Sequence, residues 1–115
     1  MSLTKIPQGS GRSGVQIKLS DSQGNPVDPN NYEEVRLNIV DITGTVKTQY
    51  RNPPSAQYEP LTLNSDGIVL DLLASETANY AIGTIQIDVW LNDSKATTPL
   101  AFPRTELAEI TRSTI

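Results

Sequence analysis

The sequence predicts an all-β protein, an antiparallel β-sandwich of about seven short strands with one short helical crossover turn. Three observations carry this. Apolar residues recur at every second position in several separate runs, the period of strands with one buried face. Clusters of Gly, Asn, Asp and Pro divide those runs at short intervals. No pair of long 3.6-period patterns is present to supply packed helices. A chain of 115 residues is long enough for one core, burying roughly 65% of its unfolded surface.

Residues 1–14 are polar and rich in Gly and Ser, with Leu3 and Ile6 as isolated apolar positions, and read as a flexible arm before a sandwich domain over residues 15–103. Alternation begins at Val15, Ile17 and Leu19 and ends at Asp21. The stretch from Asp21 to Asn31 is oxygen-rich, yet Asp21, Asn25 and Asp28 lack the one-residue spacing of a calcium loop, whereas Gly24-Asn25-Pro26 has the chemistry of a turn. A second strand follows at Val35, Leu37 and Ile39, and a weaker third at Val46, Thr48 and Tyr50 after the turn Asp41 to Gly44.

Asn52-Pro53-Pro54 cannot continue a ladder, so a wide connection is expected to about Pro60. Leu61 to Leu63 and Ile68 to Leu72 flank the turn Asn64-Ser65-Asp66-Gly67 and form a second hairpin. Ser75 to Tyr80 is the helical crossover turn, with Ser75 as its cap. Thr84 to Leu91 is the clearest strand: Ile85, Ile87, Val89 and Leu91 face one way, and Thr84, Gln86, Asp88 and Trp90 the other. After a polar hairpin loop at Asn92 to Lys95, a last strand between Ala96 and Glu109 is interrupted by Pro99 and Pro103. Residues 104–115 therefore read as a final edge strand and tail.

With no cysteine, the chain lacks disulfides, thiolate metal sites and thiol nucleophiles; with no histidine, it lacks the commonest general base and transition-metal ligand. Paired carboxylates remain, but Glu33 and Glu34 point to opposite faces of a strand, and Glu106 with Glu109 has no accompanying motif. The reading is therefore non-enzymatic, with no cofactor and no metal. A net charge of −4 with nine scattered basic residues argues against nucleic acid, and no apolar run reaches the length that crosses a membrane. The N-terminal residues show no signal-peptide pattern, so the chain is expected to be made in the cytoplasm.

Protein partners remain. Trp90, on the polar face of its strand, is either an interface anchor or a residue packed beneath the proline-rich connection. The termini carry apolar residues too few for a core and too many for a solvent tail. Leu3, Ile6, Leu107, Ile110 and Ile115, with Arg112 and Trp90, are the candidate partner contacts; completion of the protein's own edge strand is the alternative for the tail.

The stretches Asp21 to Asp28 ("DSQGNPVD"), Ala74 to Ala78 ("ASETA"), Gly83 to Asp93 ("GTIQIDVWLND") and Glu109 to Arg112 ("EITR") follow one another in an order that resembles the immunoglobulin-like domain of tailed-bacteriophage virion proteins, notably the N-terminal domain of baseplate upper proteins and small head or tail proteins. The resemblance spans most of the chain from Val15 onward and implies an immunoglobulin-like sandwich with no catalytic residue. It also implies a virion location, contacts with capsid, tail or fibre subunits, and multiple copies or a homo-oligomer. The sequence ends soon after the domain and carries a Pro-Pro insertion near Asn52, departures from the baseplate pattern that lead us to expect a small accessory protein of the capsid or tail. The alternative function is a cell-surface adhesion or carbohydrate-binding sandwich, in which exposed aromatics stack on sugars.

Overall fold

A computed structural model describes residues 4–92 and 100–112. They form two sheets. The larger contains β1 (Lys5–Pro7), β3 (Glu34–Val40), β4 (Val46–Asn52), β5 (Glu59–Pro60), β8 (Gly83–Asn92), β9 (Leu100–Ala101) and β10 (Thr105–Thr111). Its strand order is β1-β10-β8-β3-β4-β5, with β9 continuing the β10 side of β8. The smaller sheet is β2 (Arg12–Lys18), β7 (Gly67–Leu72) and β6 (Thr62–Asn64), in the order β2-β7-β6. Every pairing is antiparallel except β1 with β10 and β4 with β5. The β10-β8-β3-β4 order facing β2-β7-β6 is the strand arrangement of an immunoglobulin-like sandwich, as predicted. The three strands beyond the expected seven, β1, β5 and β9, are pieces of two or three residues.

The core follows from aligned alternation. In the β3–β8 pair, Val35 lies opposite Leu91, Leu37 opposite Val89 and Ile39 opposite Ile87, so one apolar row faces inward from both strands. Ile68, Leu70 and Leu72 meet it from β7. Burial of each such side chain contributes roughly 1.5–3 kcal/mol before entropy is set against it. Two tyrosines enter this core without stranding their hydroxyls: Tyr50 donates to the Asp71 carbonyl at 3.1 Å, and Tyr80 Oη lies 2.5 Å from Thr48 Oγ1. Burial pushes both phenols up, Tyr80 to about 12.

Asp41, with a side chain 1% exposed, ties the β3–β4 turn to the chain entering β8. It accepts from the Thr43 and Ala81 amides at 3.0 and 3.1 Å and faces Lys47 Nζ at 3.9 Å. Burial alone would raise its pKa, but the Thr43 hydroxyl, which also donates to Oδ1, together with the two amides and the Lys47 charge holds it below the ordinary value. The crossover turn forms as α1 (Ala74–Thr77), one residue earlier than expected and capped at Leu73 without a side-chain hydrogen bond, so Ser75 is inside the turn.

Both ends of the chain differ from the sequence reading. Within the expected flexible arm, Lys5–Pro7 pair with Glu109 to Thr111, and β2 begins at Arg12 rather than Val15. A bulge between Arg12 and Val15 makes this possible, with Gly14 at φ 69° and its amide donating to Asp71 Oδ1 at 2.9 Å. Consequently β10 is not an edge strand, because β1 covers its outer side. The polar loop at 93–95 and the start of the expected last strand lie outside the described residues.

Candidate functional site

The first loop is a turn. Asp21 Oδ1 accepts from the Gln23 and Asn25 amides, both at 2.9 Å, while the Gly24 amide donates to the Asp21 carbonyl at 3.0 Å. Asp28 Oδ1 caps the short 3-10 turn Pro29–Asn31 through the Asn30 amide at 2.9 Å. These carboxylates organise backbone donors. Among the described residues no group of three or more Asp, Glu, His or Cys converges so as to hold a metal ion.

Two surfaces carry the remaining chemistry. The first is the outward face of the larger sheet, where β3 and β8 place the residues between their core positions. Trp90 is the direct cross-strand neighbour of Arg36, and Arg36 of Arg51 on β4. The Arg36 guanidinium lies 5.3 Å from the centre of the Tyr58 ring, which the proline-rich connection carries back over this face. Arg36 Nε is 3.4 Å from Glu34 Oε2, which also accepts from Arg51 Nε, and Glu34 Oε1 accepts from Asn92 Nδ2. Burial raises the Glu34 pKa, but the Arg51 and Asn92 hydrogen bonds and the charges of Arg36 and Arg51 outweigh it and hold the carboxylate below its ordinary value. Trp90, Tyr58, Arg36, Asn38, Gln49 and Asn92 line a groove of about 230 Å³. Beside Asn38, its cross-strand neighbour Asp88 is gripped by Arg104 through two bonds of 2.8 Å.

Trp90 is half-buried on this face and lies outside the core cluster. Of the two readings offered for it, simple burial beneath the connection is incomplete: that loop brings Tyr58 to the groove, with Arg36 against its ring. Neither Arg36 nor Tyr58 stands out in the sequence. The polar half of the Val35–Ile39 alternation signals that Arg36 and Asn38 share a face, but nothing local places Tyr58 over them.

The second surface is the open side of the sandwich where the chain crosses from β1 to β2. β1 pairs only with β10 and β2 only with β7, so both present outer edges with no strand beside them among the described residues. A cleft of about 280 Å³ lies between them, with Ile6, Val15, Leu72, Leu107 and Ala108 as its apolar lining and Arg12 at its rim. This partly corrects the expected contacts. Ile6 and Ile110 are core residues, 3% and 0% exposed, because their register pairs them inside the sandwich. Leu107 is half-buried at the cleft and Arg112 is exposed beyond β10. Leu3 and Ile115 lie outside the described residues. Glu106 and Glu109 lie on β10 opposite Gln86 and Thr84, whereas Glu34 is committed to its arginines.

No helix among the described residues is long and apolar enough to cross a membrane. In comparisons with known proteins, the chain matches no family model, no curated protein and no solved structure.

Proposed function

We propose that this chain is a non-enzymatic structural subunit of a tailed-bacteriophage virion, made in the host cytoplasm and present in many copies, acting through contacts with capsid, tail or fibre proteins. The observation that supports the reading best is the open sandwich side. Two unpaired strand edges flank a cleft whose half-buried Val15 and Leu107 offer apolar seats, so an extended segment of a neighbouring subunit finds backbone partners and side-chain pockets together. The order of turn motifs along the chain supplies the virion context.

Mass spectrometry of purified particles tests the location: the polypeptide is expected at a stoichiometric level, and particles without it end the proposal. Val15→Glu combined with Leu107→Glu tests the mechanism. The double variant is expected to melt as a folded domain and to be missing from particles; incorporation at the normal copy number refutes the edge as the contact.

A further inference from the structure

The groove on the outward face of the larger sheet has a chemistry that strand pairing does not use. Its floor is a pair of primary amides, Asn38 on β3 directly opposite Gln49 on β4. Among the described residues neither amide group is engaged in a hydrogen bond, although each offers two donors and an acceptor. On one side stands Trp90, a flat apolar surface outside the core. Next to Trp90, its cross-strand neighbour Arg36 is held on its Nε side by Glu34 at 3.4 Å and across the Tyr58 ring at 5.3 Å, so its position is set before any ligand arrives.

We propose that this groove binds a saccharide, seating one acidic pyranose with a C–H face on Trp90, its hydroxyls on Asn38 and Gln49, and its carboxylate toward Arg36. A pyranose has the same division of chemistry: a ring face of C–H groups, and an equatorial belt of hydroxyls that both donate and accept. Amides answer hydroxyls of either polarity, and an aromatic face answers the C–H side. Size selects a single ring, since about 230 Å³ is below the range of roughly 300–1,000 Å³ that encloses drug-sized molecules. Charge selects an acidic one. Arg36 and Arg51 share the single carboxylate of Glu34, and Arg104 and Asp88 cancel each other, so these five charged groups around the groove sum to +1 in a chain whose total is −4. A nucleic acid needs many such charges, and a flat protein partner does not need two unengaged amides beside an aromatic ring. This site is separate from the β1–β2 cleft, so the two proposals fail independently.

Trp90 is the only tryptophan, so its emission reports on the groove directly. The full chain is titrated at constant ionic strength with sodium glucuronate and N-acetylneuraminate, with glucose and galactose as neutral partners. The expected result is a saturable change with an acidic sugar at millimolar dissociation constants, and about tenfold weaker response to the neutral ones. Gln49→Ala at an exposed position, alone and with Asn38→Ala, is expected to weaken binding by about tenfold without moving the melting temperature. Arg36→Gln is expected to erase the preference for the acid while the neutral sugars bind as they do to the parent. Saturation-transfer NMR on the same sugars checks that the signal is contact with the ring. No saturable change with either acid, equal binding of glucose, or full binding by the Gln49→Ala, Asn38→Ala double variant overturns the proposal. Capture of a protein on this face that Trp90→Ala abolishes, with no sugar response in the parent chain, overturns it as well.

Discussion

Gly67 opens β7 at φ 148°, a conformation that residues with a side chain rarely adopt. A Cβ built there would lie 2.1 Å from the Ile17 carbonyl oxygen and 3.1 Å from the Leu19 amide nitrogen. Both are backbone atoms of the chain running through and beyond β2. Relief therefore requires the two strands to part by about 1 Å to reach even the 3.0 Å limit of real Cβ contacts. In Gly67→Ala the dihedral strain costs roughly 1–3 kcal/mol, and the overpacking about 1–3 kcal/mol more. Loss of the neighbouring Leu19 amide to Asp66 carbonyl bond, 3.2 Å long, adds about 1 kcal/mol. The expected sum is about 3–7 kcal/mol, or a fall in melting temperature of roughly 12 °C or more for a domain of this size. Gly83→Ala is the control. Gly83 is also at positive φ, 137°, but its Cβ would meet Ile42 Cβ at 2.9 Å, just inside the 3.0 Å limit, so a slight shift of the turn that carries the exposed Ile42 relieves the contact. The dihedral strain is the larger cost there, so the total is expected to be about half or less of that for Gly67→Ala. Thermal melts by circular dichroism on both variants compare them directly. Equal destabilisation, or a milder Gly67→Ala, refutes the β2–β7 register.

Asp41→Asn is expected to destabilise the domain at neutral pH and to flatten its acid unfolding. Because the folded-state pKa is depressed, the carboxylate's contribution is fully present above the ordinary value of 3.8 and is lost as pH falls through the lower folded value. Urea melts between neutral pH and pH 2 check this, and an unchanged pH slope contradicts it. Tyr80→Phe removes the phenol from Thr48 but leaves Thr48 its 3.1 Å bond to Glu76, so the expected loss is only about 1 kcal/mol, read by the same denaturant midpoint. Arg104→Ala breaks an exposed bidentate pair with Asp88; the melting temperature is expected to move slightly in low salt and not at all in high salt.

The central strands were legible because their information is local. The alternations Val35 to Ile39 and Ile85 to Leu91 name their own buried faces, and the turn at Asp21 to Pro26 carries its donors and acceptors within five residues. The N-terminal strand was not legible, because Ile6 is a single apolar residue whose reason to be buried is Ile110, at the opposite end of the chain. Three residues set no period, so β1 reads as an arm until its partner is known, and with it the status of β10 as edge or interior. The groove divides the same way. Trp90, Arg36 and Asn38 fall on one face by alternation alone, whereas Tyr58 arrives through a connection whose path no local pattern states. The cleft depends on two sheets meeting, so Val15 and Leu107 share it only in three dimensions.

The two surfaces also differ in what supports them, and that difference fits their proposed uses. The groove stands on β3, β4 and β8, whose inward residues from Val35 to Ile39, Tyr50, and Ile85 to Leu91 fill the core. A side chain on the outer face of such strands inherits their immobility, which suits a site that must hold two amides, a guanidinium and an indole in fixed relation for a weak, small ligand. The cleft is bordered by β1, three residues long, and by the bulged start of β2, where Arg12 to Gly14 are exposed. Such edges gain by acquiring a further strand, because their outward backbone groups are otherwise met by water alone. A partner that adds a strand there stabilises β1 and β2 as it binds, so hydrogen exchange at Ile6 and Gln16 is expected to slow on assembly while exchange at Leu37 and Val89, already slow, stays unchanged. Saccharide binding in the groove is expected to leave Ile6 and Gln16 as they are. The same exchange measurement therefore distinguishes the two surfaces, and protection of the β1–β2 edge by a sugar contradicts their independence.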